Sequence, residues 1–384
     1  MKYFTSRHAC LFAALITALP SCKNAKEGVI STGSPILINL DSSAKYYSIA
    51  DYVDDLHLIR LDTVDGAIIS DAWNIQRVIH INGKYILLDG SYMSVKAFDS
   101  CGKYLNSFGS LGVRQGQFTR VDDIEYYPSD NSLMVLCNSP KKLAEFTLEG
   151  QLLKDSKLDF WATSVAFPSA DSRIYYVNQN KSDVSGDKNI LFTDSLNQVR
   201  GTLFNMPKNV TTVVKFSGNL TSNDGTVYFS PALSNTYYAI AGDTATPVFK
   251  INYGPQTVPP DIAQAKWMVN LHKYKFTYQT FIKNKDYLGV NFHSDGVGAA
   301  FYNLHSGNII TNDPQLDSLN MLFSSLIYQD HEKYIMVVDL PKLSSFVQRN
   351  LKKIQQKFPA LYSQLILQRA YKSPGLLTFT LKPV

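Results

Sequence analysis

The residues that could do chemistry are few, and their spacing fits no standard reaction centre. His331-Glu332 begins like a zinc-protease helix, but position 335, where a second histidine must stand, is Ile. The chain has no Gly-x-Ser-x-Gly elbow and no glycine loop ending in Gly-Lys-Ser/Thr. The stretch Gly109 to Gly116 is glycine-rich, yet it joins two strands, so it lacks the aligned donors of a helix N-terminus. Asp122 and Asp123 are neighbours along a strand and point to opposite faces. They cannot by themselves be the pair of carboxylates, roughly 5 to 9.5 Å apart, that glycoside hydrolysis requires. The other histidines are scattered. No cofactor and no metal site are expected.

Chemistry of a different kind, recognition by aromatic and polar side chains, depends on what the surrounding elements bring together. A polar turn followed by an aromatic-aliphatic run recurs along the chain. The copies start at Lys84, Ser132, Arg173, Thr226, Asp286 and Lys333, about 41 to 60 residues apart. Repeats of this length with several short strands per unit are the signature of propeller blades. In the first unit Asn74 to Ile81 and Lys84 to Asp89 flank Asn82-Gly83, a two-residue hairpin turn whose residues tolerate positive φ. Ser94 to Asp99 and Tyr104 to Phe108 complete that blade. The second unit repeats the pattern from Val121 to Asp155.

Two segments break the strand pattern. Pro259 to Asn270 and Leu343 to Phe358 are expected as short helices, the second with Leu343, Phe346, Val347, Leu351, Ile354 and Phe358 on one face. The sequence thus predicts an all-β fold, a six-bladed β-propeller with two short helical insertions. Leu56 to Leu61 and Leu376 to Lys382 should meet in the last blade and close the ring. One face should carry the loops that enter each inner strand and leave each second strand, with both helices partly capping a central pocket. Asp89, Arg114, Arg120, Trp161, Asn178 and His293 fall on that face and are the candidate ligand-facing residues. Trp161 stands out, because an aromatic at a blade mouth can stack on a sugar or another ring.

The chain ends and totals bear on address. Lys2 and Arg7 precede an apolar stretch from Ala9 to Ala18, ten residues where a bilayer span needs about 20. Leu19-Pro20-Ser21-Cys22 follows, placing Cys22 where a lipoprotein signal is cleaved and acylated, although Pro20 stands where a smaller residue is usual. Acyl chains add roughly 0.8 kcal/mol per buried methylene, enough to hold a multiply acylated N-terminus on a membrane. The expected organisation is a signal peptide over 1–22, a polar tether over 23–35, and a propeller over 36–384. Cys101 and Cys137 have no metal-ligand spacing; they read first as two buried or semi-buried thiols, with a disulfide between them the alternative in an oxidising compartment. The net charge is +5, two of it from Lys2 and Arg7, with no dense basic run, so nucleic acid is not an expected partner.

Several stretches together resemble a known family, the six-bladed β-propeller lipoproteins of Bacteroidetes, which are related to NHL-repeat propellers. They are Asp55 to Thr63, the Val95 to Phe108 strand pair, the Gly109 to Phe118 loop, and the ending Ser373 to Lys382. The resemblance spans Ile36 to Lys382. It implies a propeller tethered in the cell envelope, at the outer membrane, and no assigned reaction. Family members carry a Gly-Pro-Gly-Glu-aromatic loop, whereas this chain reads Arg114-Gln115-Gly116-Gln117-Phe118, so no role of that glutamate is carried over. Ser222 to Thr226 partly resembles the turn-stabilising aspartate box of sialidase-like propellers. The leading reading is a non-catalytic binding or scaffold lipoprotein for a glycan, a peptide or an envelope protein. The alternative is a propeller-type carbohydrate-active hydrolase or lyase.

Overall fold

The structure is a computed structural model that describes residues 25–41, 43–206, 208, 220–223, 225–231, 234–259, 270–294, 296–366 and 374–382. It is a six-bladed β-propeller. Blade one is the antiparallel meander Ile75–Ile81, Lys84–Asp89, Ser94–Asp99 and Tyr104–Phe108, from the channel outwards. Blade two repeats it with Arg120–Tyr127, Ser132–Ser139, Lys141–Thr147 and Leu152–Lys157. The inner strands of blades three to six are Ser164–Ser169, Leu220–Asn223, Phe276–Lys283 and Ile327–Asp330. The second strands are buried almost throughout, because neighbouring blades cover both of their faces. Between blades the core is aromatic: Phe108 meets Phe146 edge-on, as Phe160 meets Tyr175.

The ring closes as the sequence predicts. In blade six, Pro374–Leu381 pairs antiparallel with Lys333–Asp339 on one side and with Val53–Arg60 on the other. One blade therefore contains strands from both ends of the propeller domain, which leaves no open seam.

The first described residues do more than link. Lys26–Glu27 adds a parallel strand to the outside of blade three, and Val29–Ile30 and Ile36–Asn39 do the same for blade four. Tyr46–Ser48 then edges blade five, before Val53–Arg60 enters blade six. Part of the segment expected as a tether over 23–35 thus lies against the rim as a strap. Gly28 lets it pass between blades, since a Cβ there would stand 2.4 Å from the Asp243 carbonyl oxygen.

The helix expected over Leu343 to Phe358 is three helices, Leu340–Arg349, Leu351–Lys357 and Pro359–Ile366, broken at Asn350 and Phe358. Asp339 caps the first by accepting from the Lys342 amide. Their apolar faces, with Phe346, Ile354, Leu361 and Leu365, pack with Leu56 and Leu58 of the closing strand. Gln364 also accepts from the Leu58 amide. The helices therefore cover the outer edge of blade six rather than the central pocket, because that edge has backbone donors to satisfy. The other expected helix, Pro259 to Asn270, lies almost wholly outside the described residues.

Buried amides lock blade to blade. Asn291, within the second strand of blade five (Tyr287–Ser294), donates to the Ile327 carbonyl at 2.9 Å and accepts from its amide at 3.0 Å. Asn291→Ala should cost about 2 kcal/mol, the loss expected when two buried backbone groups lose a shared partner. The check is a lowered urea midpoint; an unchanged midpoint would show that the clasp carries nothing.

Candidate functional site

The sequence-predicted face contains one place where candidates meet. Arg120 starts the inner strand of blade two, and Trp161 lies in the loop leading to blade three. The Arg120 guanidinium sits over the Trp161 ring, 5.7 Å from its centroid, and both side chains are partly exposed. Arg120 also binds the fully buried Asp122 carboxylate, at 3.0 Å from Nε and 2.9 Å from a terminal nitrogen. The other Asp122 oxygen accepts from Asn138 at 2.7 Å. Asn138 in turn donates to the Ala162 carbonyl at 2.7 Å and accepts from its amide at 3.3 Å. An interior network thereby fixes the residue next to Trp161 and holds an aromatic face and a cation at the surface.

The other four candidates do not join this pair. Asp89 is fully buried and organises its own turn, accepting from Ser70 Oγ at 2.7 Å and from the amides of Ser70, Ser91 and Tyr92. Asn178 is fully buried with φ +47° and accepts from the Tyr176 hydroxyl at 3.0 Å. Arg114 is exposed at the tip of the glycine loop, where its carbonyl accepts from Lys142 at 3.2 Å. His293 stacks on Phe276 at 4.8 Å and lies 3.2 Å from the Tyr278 hydroxyl. Their types suggested solvent-facing loops, whereas three of them stitch the ends of second strands. Asp122 and Asn138, which set the Arg120–Trp161 pair, were missed as site residues. Asn138 lies one residue before the end of the second strand of blade two, close to where Asp89 ends that strand in blade one, and that periodicity was the available signal.

The central cavity, about 570 Å³, opens on the opposite face from the one expected. Its walls are the far halves of the inner strands and the hairpins beyond them, including Ile79, Tyr126, Phe167, Lys283 and Glu332. At its base Arg77 of blade one is bonded to Glu125 of blade two, with an Asp123 oxygen 3.9 Å from the guanidinium. Asp123 turns away to accept from Ser164 Oγ at 2.6 Å and the Val165 amide at 3.1 Å. At the rim Asp330 accepts from both His80 and His331, at 2.6 and 2.8 Å. Burial raises the Asp330 pKa, but these two histidine contacts outweigh it and hold the carboxyl below its usual value. Among the described residues, no three His, Cys, Asp or Glu side chains gather as metal ligands.

Glu125 has a measurable signature. Burial pushes its carboxyl up to about 7, and the Arg77 guanidinium only partly offsets this. A carboxyl raised in the folded state contributes stability that is complete below its unfolded value of 4.5 and lost as pH rises through about 7. Between pH 5 and 8 the native protein should therefore lose stability more steeply than Glu125→Gln. Urea titrations at both pH values test this, and parallel slopes would sink it. The Asp330 contribution has the opposite sign and is lost only as pH falls into the carboxylate range.

A family profile matches residues 36–366, that of the domain of unknown function DUF4934. The chain belongs to the DUF4934 family. Among solved structures, this DUF4934 chain is similar to BF0058 of Bacteroides fragilis NCTC 9343, named as an exported protein. The TM-score is 0.75 at 13% identity, covering 89% of this chain and 98% of that one. It is also similar to a DUF4221-family member from Bacteroides vulgatus, with a TM-score of 0.53 at 9% identity, covering 86% of this chain and 98% of that one. At these identities the likeness is one of fold. No curated protein matches the DUF4934 chain in sequence.

Proposed function

We propose that this DUF4934 protein is a cell-envelope lipoprotein, anchored in the outer membrane through Cys22, whose propeller binds without catalysing a reaction. Its partner is a glycan, a peptide or an envelope protein. The observation that carries the reading is the exposed Arg120–Trp161 pair on its buried Asp122–Asn138 support. A rigid aromatic face beside a guanidinium suits stacking plus hydrogen bonding, which is how planar or ring-bearing ligands are recognised. The inner-strand carboxylates are engaged internally, Asp122 by Arg120 and Asn138, Asp123 by Ser164, and Glu125 by Arg77. Those commitments favour a structural use over general acid and base roles. The lipobox-like residues around Cys22 and the exported name of BF0058 support the address. The repeat pattern supports a kinship with NHL-repeat propellers.

A thermal-shift screen against glycans and peptides, run on the native protein and on Trp161→Ala, tests the reading. The expected result is a stabilising ligand whose shift disappears in Trp161→Ala. A ligand that shifts both proteins equally would move the site elsewhere, and no shift with any ligand would favour an envelope protein as partner.

A further inference from the structure

Around the rim, the strap leaves apolar side chains in water. Val29, Ile30, Ile36 and Leu37 are 58, 47, 47 and 53% exposed. All four lie on the outermost strands of blade four, in register with Thr244, Ala245, Phe249 and Lys250. They are held there by backbone bonds, Val29 to the Asp243 carbonyl at 2.9 Å and Ser31 to the Ala245 carbonyl at 2.9 Å. Just upstream, Gly28 bonds the Thr202 carbonyl at 2.7 Å, and Glu27 meets Lys188 at 2.5 Å. The strap is thus fixed to the ring from Lys26 onwards. Exposed apolar groups gathered along one outer edge usually mark a surface that something covers.

Chain length says what covers this one. Four residue steps separate Cys22 from Lys26, a span of no more than ~14 Å. Resting on the lipoprotein reading above, we propose that the ring sits edge-on, with the blade-four strap inserted at the membrane surface. An acylated Cys22 places its chains in the bilayer and keeps the rim beside it at high effective concentration. The anchor supplies the residence time, and the four apolar side chains set the orientation. Blade one, directly across the six-membered ring, then faces away from the membrane, with Leu105 on its outer strand.

The test separates anchor from orientation. Full-length protein, in a Cys101→Ser background, is purified from cells fed labelled palmitate, with Cys22→Ser as the control for label. Ile30→Cys, Leu37→Cys and Leu105→Cys are each given a bimane probe and reconstituted into phosphatidylethanolamine–phosphatidylglycerol vesicles containing nitroxide lipid. The expected result is quenching at positions 30 and 37 at least about threefold stronger than at position 105. Equal quenching at all three positions in palmitate-labelled protein would overturn the seating and leave the anchor standing. Absence of label from the parent protein would overturn both.

Discussion

At pH 8, Arg77→Met lowers the folding stability of the propeller by about 3–5 kcal/mol, the usual cost of removing one partner of a buried ion pair. The guanidinium is buried, donates to Glu125 and to the Leu220 carbonyl, and has Asp123 nearby. It thereby touches blades two and four from blade one, across the channel. Met keeps most of the volume and removes the charge, so Glu125 must either ionise alone in the interior or take up a proton. Because the Glu125 carboxyl is already pushed up to about 7, protonation becomes cheap at low pH. The penalty should therefore be clearly smaller at pH 5 than at pH 8. Arg77→Met/Glu125→Leu should recover much of the loss at pH 8, since a matched apolar pair avoids the uncompensated charge. Urea unfolding of the three proteins at both pH values measures this. A pH-independent penalty, or a double variant no better than the single one, would show that the ion pair is not what holds the base of the channel.

Gly102→Ala should cost roughly 3 kcal/mol, well above the same change at Gly83. Both glycines have positive φ, +85° and +72°, so each alanine carries about 1–2 kcal/mol of backbone penalty. Beyond that the positions differ. An alanine Cβ at 83 meets nothing within 4 Å, whereas at 102 it would lie 1.8 Å from the Arg60 carbonyl oxygen. Arg60 ends the closing strand of blade six, and the Asp62 backbone amide just beyond it donates to the Gly102 carbonyl at 2.9 Å. The blade-one turn must come this close for the first and last blades to meet, and overpacking there adds about 1–3 kcal/mol. Gly150 repeats the arrangement in blade two, where a Cβ would lie 2.7 Å from the Ser107 carbonyl oxygen of blade one. Thermal or urea unfolding of the two alanine variants is the comparison, and equal destabilisation would mean that the turn can retreat without disturbing closure.

The ring was legible in the sequence because its information is local. Asn82-Gly83 fixes one hairpin, and the aromatic-aliphatic second strands repeat wherever neighbouring blades bury both faces. Closure by Leu56 to Leu61 and Leu376 to Lys382 could also be read, because a propeller without it leaves two open edges. The strap could not. Val29–Ile30 and Ile36–Asn39 are short, and their parallel partners lie far along the chain, so no periodicity betrays them. The candidate site was half legible for a related reason. Trp161 and Arg120 stood out by type and loop position, but Asp89 and Asn178 looked like loop residues, although burial turns them into internal acceptors. The Arg77–Glu125 contact joins separate blades, and no pattern along a single strand can pair them.

The strap also sets an order on assembly. Blades one and two are built from strands adjacent in sequence, so their hairpins can pair as soon as they exist. Lys26–Glu27 must wait for Gly201, Ile36–Asn39 for Phe249 to Asn252, and Tyr46–Ser48 for Ile309 to Thr311. Val53–Arg60 waits longest, for the strand that starts at Pro374. The strands that precede blade one thus stay unpaired while the blades after them form, and loop-closure entropy makes such distant pairings slow. A chain whose leading strands are reserved in this way keeps blade six, and with it the ring, incomplete until the strand at Pro374–Leu381 arrives.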